Sequence, residues 1–451
     1  MTIYDLIHGY QPFHSQTFIP KWIKKNLQQI FLPTSLAMRE GLIPRGIQLQ
    51  GWTIETWLNA EKSIRDLAGK TINNLKIANK KKNIEVGISA YSHPILPMLS
   101  NDLIRIQIIL DKEIIEKHIG KVTWFWPPEG AIDQRVLKII HETFPDLILL
   151  IPDKAIEKYN FNGPIKIKFP ACLSDRQACT GRNNGIQRAI VFNTLFKDLF
   201  MNAEDYKGRP KYVKRPKYLP KDLVWAQIRR MVHSPKIFLY VLEYLRFAQN
   251  FPTNYKSERI TNKFVLMRDW ENAGSKKGLR TRPTFSSKNL GGQEKIKDIG
   301  VFLKLKDKID FRLPSQFNWQ KAEIIPITKI KPCSWDMESK PNDPFPWWQP
   351  NKHGRVWQKH RLLRRKKMIE WNELIKEFDK IFQQKVKKYG GIEKIFKNKE
   401  LKDLLKQTLP GLHSCVGWHY FAKRSWKPDY QYSQAALKNI VLPGLEKLKK
   451  L

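Results

Sequence analysis

The sequence predicts an α/β protein: a parallel barrel of alternating strands and helices, followed by a run of helices at the C-terminal end. Three observations point there. Short apolar, β-prone runs recur through the first two-thirds of the chain. Amphipathic helical stretches lie between several of them. Past residue 353 the chain reads as helices only.

The β-prone runs are TIYDLIHG (2–9), GIQLQGW (46–52), NIEVGISA (83–90), VTWFW (122–126), LILLIP (147–152), IKIKF (165–169), AIVF (189–192) and FVLMRD (264–269). Helical periodicity fills residues 54–81 and 133–146 between them. Seven or eight such units over about 270 residues favour a barrel over an open sheet. A doubly wound sheet shares the alternation, but a dinucleotide site there needs a glycine-rich turn after the first strand, and none follows residue 9. The expected organisation is a barrel over residues 1–300, with a basic helical insertion at about 195–260. A linking β and turn segment follows over 301–350, then a helical region over 351–451. No repeat of 20 to 50 residues is evident.

Composition narrows the class. At 41% hydrophobic and 12% aromatic residues, disorder is excluded. The 15 tryptophans suit interfaces and sugar clefts, where a flat apolar face and a polar handle serve together. The formal charge of +39 directs attention to a polyanionic partner such as RNA or an acidic polysaccharide. Two basic patches stand out, 207–221 and 359–367, and neither carries a nucleic-acid-binding motif. Weak contact with a polyanion through them is the alternative to a solvated surface. The four cysteines, at 172, 179, 333 and 415, lack CxxC spacing, so no zinc knuckle is expected. The N-terminal segment carries no leader pattern and no run is long enough to span a membrane, so a cytoplasmic protein is expected.

In a parallel barrel, catalytic residues come from the C-terminal ends of several strands. That rule selects His8, Tyr91 to His93, Glu129 and Asp269. Trp126 and Trp270 flank the two acids. Two carboxylates, two histidines and flat rings at one mouth are what glycoside chemistry needs: a pair of acids straddling the scissile bond and groups to hold the sugar. Glu129 would equally suit a helix N-terminus, where an acid complements the dipole, and an Asp at a strand end commonly caps a helix.

The motifs around these residues resemble glycoside hydrolase family 57 almost from end to end. LIHGYQPFHSQ (6–16) is similar to the family's first region and GISAYSHPILPML (87–99) to its second. FWPPEGAID (125–133) resembles the third, which carries the nucleophile, and VLMRDWENAGS (265–275) the fourth, which carries the acid/base. LHSCVGWHYFAK (412–423) is similar to the fifth, which closes the cleft, and CLSD (172–175) and CSW (333–335) are similar to segments between. The resemblance implies a (β/α)7-type parallel barrel followed by a C-terminal helical domain. It implies retaining chemistry on α-glucans, of the α-amylase or 4-α-glucanotransferase type, with no metal or organic cofactor. It assigns the nucleophile to Glu129 and the acid/base to Asp269. Substrate-binding positions are then His8, Gln11, His93, Trp126, Trp270, Trp418 and His419.

Three positions depart from the family pattern. Tyr10 stands where many members carry a second histidine, Trp270 replaces the glycine after the acid/base, and Gly274-Ser275 replace the usual Trp-Glu. They define two alternatives: a barrel that retains its carboxylates without turnover, and a polyanion-binding protein on the same barrel. A metal-dependent deacetylase would need an Asp/His/His set. His8, His93 and Asp269 could mimic one, yet no His-x3-His spacing supports it.

Overall fold

The computed structural model of the chain describes residues 2–9, 19–156, 163–170, 185–192, 263–269, 307, 309–334, 344–345, 361–414 and 436–451. Among the described residues, ten strands form one sheet: β1 (Thr2–Gly9), β2 (Arg45–Leu49), β3 (Ile84–Ile88), β4 (Val122–Phe125), β5 (Ile148–Pro152), β6 (Gly163–Lys168), β7 (Ile186–Phe192), β8 (Lys263–Asp269), β9 (Asp310–Phe311) and β10 (Glu323–Pro326). Along the sheet the order is β10-β6-β7-β5-β4-β3-β2-β1-β8, with the short β9 paired to β1. All eight expected strands are present. Seven of them, from β7 through β5, β4, β3, β2 and β1 to β8, form a parallel arc. The arc curls until β8 lies against β7, with no ladder between them among the described residues. This is the barrel. The eighth strand, β6, is antiparallel to β7 and leads outward to β10.

The strands read as near-continuous apolar runs because both faces are covered, as parallel sheets require. Tyr4, Leu6, Trp124, Trp126, Ile148, Leu150, Ile190, Phe192, Val265 and Met267 fill the barrel. Ile7, Ile47, Leu49, Val86, Ile88 and Phe125 point the other way, into a larger core with the helices. A single residue decides how the barrel fills at one level. A Cβ at Gly87 would overlap the Trp124 ring, so only glycine lets that indole lie across β3.

The helices are α1 (Ile19–Asn26), α2 (Leu32–Arg39), α3 (Gly51–Leu58), α4 (Lys62–Lys80), α5 (Asn101–His118), α6 (Gln134–Thr143), α7 (Arg361–Tyr389), α8 (Ile392–Lys397), α9 (Lys399–Thr408) and α10 (Leu442–Lys450). The helical stretch at 54–81 is therefore two helices. The run expected as strand to residue 52 ends at Leu49, and Gly51 and Trp52 open α3. Ser100 caps α5, and Asp133 caps α6 through a 2.7 Å bond from the Val136 amide. The C-terminal helices share the core with the barrel's outer layer: Trp371, Phe378 and Leu405 belong to the same buried cluster as Ile54 and Ile108. Asp379 of α7 accepts from the Ser100 amide (2.7 Å) and hydroxyl at the start of α5. Lys406 of α9 pairs with Glu55 of α3 at 2.6 Å.

One end of the barrel is plugged. Phe317 stacks on Tyr4 with centroids 3.5 Å apart. Glu85, at the N-terminal end of β3, accepts from the backbone amide and the hydroxyl of Ser315. Burial holds the Glu85 carboxyl above the usual range, opposed by those two donors. With the floor closed by residues 313–319, a substrate must approach the C-terminal ends of the strands. No helix among the described residues is long and apolar enough to cross a membrane. Patch 207–221 lies outside the described residues, as do residues 359 and 360 of the second patch. The rest of that patch, residues 361–367, begins α7.

Candidate active site

The site is built on the turn after β4. Trp126 continues the strand, its amide bonded to the Ile88 carbonyl at 2.8 Å. Two prolines then fix the chain, and Pro128–Gly130 forms a single tight turn closed by Gly130 N to Pro127 O, 2.9 Å. At its apex Glu129 adopts φ 56°, ψ 17°. A glutamate gains nothing from this left-handed conformation and forfeits about 1–2 kcal/mol to it. The acid is not the helix cap, a role taken by Asp133. Glu129 projects its carboxylate from the turn, and its side chain keeps 21% exposure where most neighbours have almost none.

Two groups meet that carboxylate, and a third ring stands behind them. Ser414 Oγ donates to Glu129 Oε1 at 2.8 Å. His93 Nδ1 lies 3.7 Å from the same oxygen and 3.0 Å from Ser414 Oγ. His93 is itself left-handed, φ 58°. The His8 ring lies parallel to that of His93, centroids 6.3 Å apart and planes 7° apart, and tilts against Trp126 at 5.8 Å. Thus Glu129, His93, His8 and Trp126 are gathered at one barrel mouth, as the strand-end rule anticipates. The register pairs His8 with Asp269 across β1 and β8, which sets the Asp269 backbone at the same mouth. The side chain of Asp269, and Gln11, Trp270, Trp418 and His419 altogether, lie outside the described residues.

Two flanking segments pin the Glu129 turn. On one side, Cys333 exchanges backbone hydrogen bonds with Ile132, at 2.9 and 3.0 Å. Its thiol is buried, and burial pushes it well above the ordinary thiol range, so it packs as an inert apolar group. On the other side, His413 bridges Pro94 and the Ser414 amide bonds the His93 carbonyl at 2.9 Å. Tyr91, in the same loop as His93, donates to Glu55 at 2.8 Å, and burial with the neighbouring carboxylate keeps its phenol well above 10.

Behind the mouth stands Asp111 of α5, fully buried. It accepts the Gly51 amide (2.5 Å) and the Ser89 amide (2.7 Å), joining the ends of β2 and β3. Burial raises its carboxyl to about 7, opposed by those two donors. Gln48 and Gln50, on the barrel-facing alternation of β2, are fully buried, and neither amide has a hydrogen-bond partner among the described residues. Gln48 aligns with His8 in the ladder.

Sequence reasoning missed Ser414, His413, Gln48, Gln50 and Asp111. Ser414 and His413 stand inside the motif at 412–423, ahead of its aromatic residues. Gln48 stands inside the run identified as β2, and its barrel-facing alternation with Gly46 was legible there. No local signal marks Asp111, whose role depends on two amides distant in sequence. No group of three His, Cys, Asp or Glu suited to a metal ion occurs among the described residues.

The sequence model of a family described as Glycosyl hydrolase family 57 matches residues 4–187. No curated protein sequence matches the chain. The fold is similar to that of a GH57-type branching enzyme from Pyrococcus horikoshii, at 13% identity and a TM-score of 0.60, over 100% of this chain and 94% of that one. It is also similar to the α-amylase AmyC from Thermotoga maritima (11%, TM-score 0.59, covering 99% and 93%). A third likeness is to 4-α-glucanotransferase from Thermococcus litoralis (11%, TM-score 0.51), over 100% of this chain and 58% of that one. Identities this low speak to the fold, and the fold agrees with the match over β1 to β7. Over residues 4–187 the chain is similar to glycosyl hydrolase family 57, and its fold is that of solved members of that family.

Proposed function

We propose that the protein is a retaining glycosidase or glucanotransferase acting on α-glucans, with Glu129 as nucleophile and Asp269 as acid/base. The observation that carries this reading is the strained, doubly pinned turn that holds a partly exposed carboxylate against a histidine and a hydroxyl at an open barrel mouth. Backbone strain of this kind persists where surrounding structure enforces it, and it gathers at functional sites.

The chemistry proceeds in two displacements. Ionised Glu129 attacks the anomeric carbon while Asp269 gives its proton to the departing glycosidic oxygen, leaving a glycosyl ester on Glu129. Asp269, now a base, takes a proton from water or a sugar hydroxyl, whose oxygen replaces Glu129 on the same carbon. Carboxyl groups about 5 Å apart suit this course. The adjacency of His8 and Asp269 in the ladder, with His8 stacked towards His93 and Glu129, supports placing both acids at one sugar. Trp126 offers an apolar wall, and the amides of Gln48 and Gln50 are suited to sugar hydroxyls. Similarity in fold to a branching enzyme, an amylase and a glucanotransferase supports the substrate class.

The test is a product assay over a panel of α-glucans with Glu129→Gln and Asp269→Asn alongside. Turnover that vanishes in Glu129→Gln and survives chelator is the expected result. Chelator-sensitive turnover, or salt-sensitive retention on RNA with no sugar product, would replace it with the deacetylase or binding alternative.

A further inference from the structure

We infer that Ser414 is the positioning residue for Glu129, acting through a relay that runs from His93 Nδ1 to Ser414 Oγ to Glu129 Oε1. The inference rests on the reading of Glu129 as nucleophile and assigns a residue to its control. A serine hydroxyl has one hydrogen to give. An ionised carboxylate can only accept, so that hydrogen goes to Glu129 Oε1, 2.8 Å away. The serine lone pairs then face His93 Nδ1 at 3.0 Å, and the hydrogen between them belongs to the imidazole. The relay therefore selects the Nδ1–H tautomer of His93. Direct contact does not do this work, because His93 Nδ1 and Glu129 Oε1 are 3.7 Å apart, beyond hydrogen-bond length.

The burial gradient fits a positioning role. Ser414 is fully buried and His93 nearly so, while the Glu129 side chain alone opens to the mouth. Ser414 is placed by backbone rather than by its own rotamer: its amide bonds the His93 carbonyl, and His413 bridges Pro94. That bridge is the end of the short turn Leu409–Leu412, which follows α9 directly. Residues 285 positions apart thus meet only when the C-terminal helices dock. The helical region delivers one hydroxyl to the barrel carboxylate, fixing its rotation.

The test uses the full chain with Ser414→Ala and Ser414→Thr, beside Glu129→Gln. Two readouts are needed: kcat and KM on maltooligosaccharides, and the His93 tautomer by 15N NMR of histidine-labelled protein, assigned with His93→Gln. Loss of a hydrogen bond to a charged group predicts that Ser414→Ala lowers kcat about 10- to 100-fold, with KM changed by no more than about twofold. The His93 Nδ1–H form loses its dominance, and Ser414→Thr, which keeps the hydroxyl, restores both. Parental kcat and tautomer in Ser414→Ala overturn the inference. So does an equal loss in the Ala and Thr variants together with a lowered Tm, which marks a packing role. If Glu129→Gln turns over like the parent, the nucleophile assignment fails instead, and the tautomer still decides whether the relay exists.

Discussion

Glu129 and His93 share one uncommon backbone conformation, with φ 56° and 58°, and their side chains meet at 3.7 Å across the barrel mouth. Among the described residues only Lys82, in a turn, joins them as a non-glycine residue at positive φ. Two strained residues facing each other indicate that the loops after β3 and β4 are shaped for this contact at some expense of stability.

That expense is measurable. Glu129→Gly relieves the left-handed strain, so the variant is expected to unfold at a temperature equal to or above the parent's while turnover is lost. Thermal unfolding with parallel sugar-product assays checks both halves. A clear drop in Tm would show that the contacts of Glu129 outweigh its strain.

Asp111 gives a pH signature. Its folded-state carboxyl stands near 7, raised by burial above the ordinary value of 3.8. Between those values the native state holds a proton that the unfolded chain releases. Its contribution to stability is thus complete below the unfolded value and is lost as pH rises through about 7, with a slope of at most ~1.4 kcal/mol per pH unit. Asp111→Asn should flatten that slope in denaturant titrations from pH 4 to 7. It should also destabilise by about 1–3 kcal/mol, since one amide oxygen cannot serve both the Gly51 and Ser89 amides. An unchanged slope refutes the account.

Gly87→Ala sets a methyl against the Trp124 ring. The indole cannot retreat, being packed in the barrel with its Nε1 bonded to the Glu85 carbonyl at 3.2 Å. Equilibrium unfolding is expected to show a loss of about 1–3 kcal/mol. Stability equal to the parent's would mean that the barrel interior has room.

Gln48→Leu separates fold from function. Replacing a buried amide that lacks partners among the described residues with an apolar side chain should leave stability equal or raise it by about 1 kcal/mol. If the amide holds sugar hydroxyls, KM on maltooligosaccharides rises in the same variant. Lower stability with unchanged KM argues against a sugar contact there.

The strands were legible because each is a short apolar run with turn residues at its ends, and such runs report burial on both faces directly. All eight expected strands form, most within two residues of their expected bounds. Where the reading slipped, tertiary contact was the cause. Gly51 and Trp52 look β-prone, but Asp111 captures the Gly51 amide and starts α3 there. Strand β6 alternates as a strand should, yet alternation alone does not say that it runs antiparallel to β7.

The site divides along the same line. Glu129, His8, His93 and Trp126 follow from sequence because each stands at the end of its own strand or in the loop just after it, and a parallel barrel brings such positions to one mouth whatever the rest of the chain does. Ser414, Asp111 and the strain at Glu129 belong to the tertiary structure alone. A hydroxyl 285 residues from its carboxylate, a buried acid holding two distant amides, and a backbone angle enforced by neighbours are relations between segments. Local sequence encodes periodicity and turn chemistry over a few residues; it does not specify which distant atom completes a hydrogen bond.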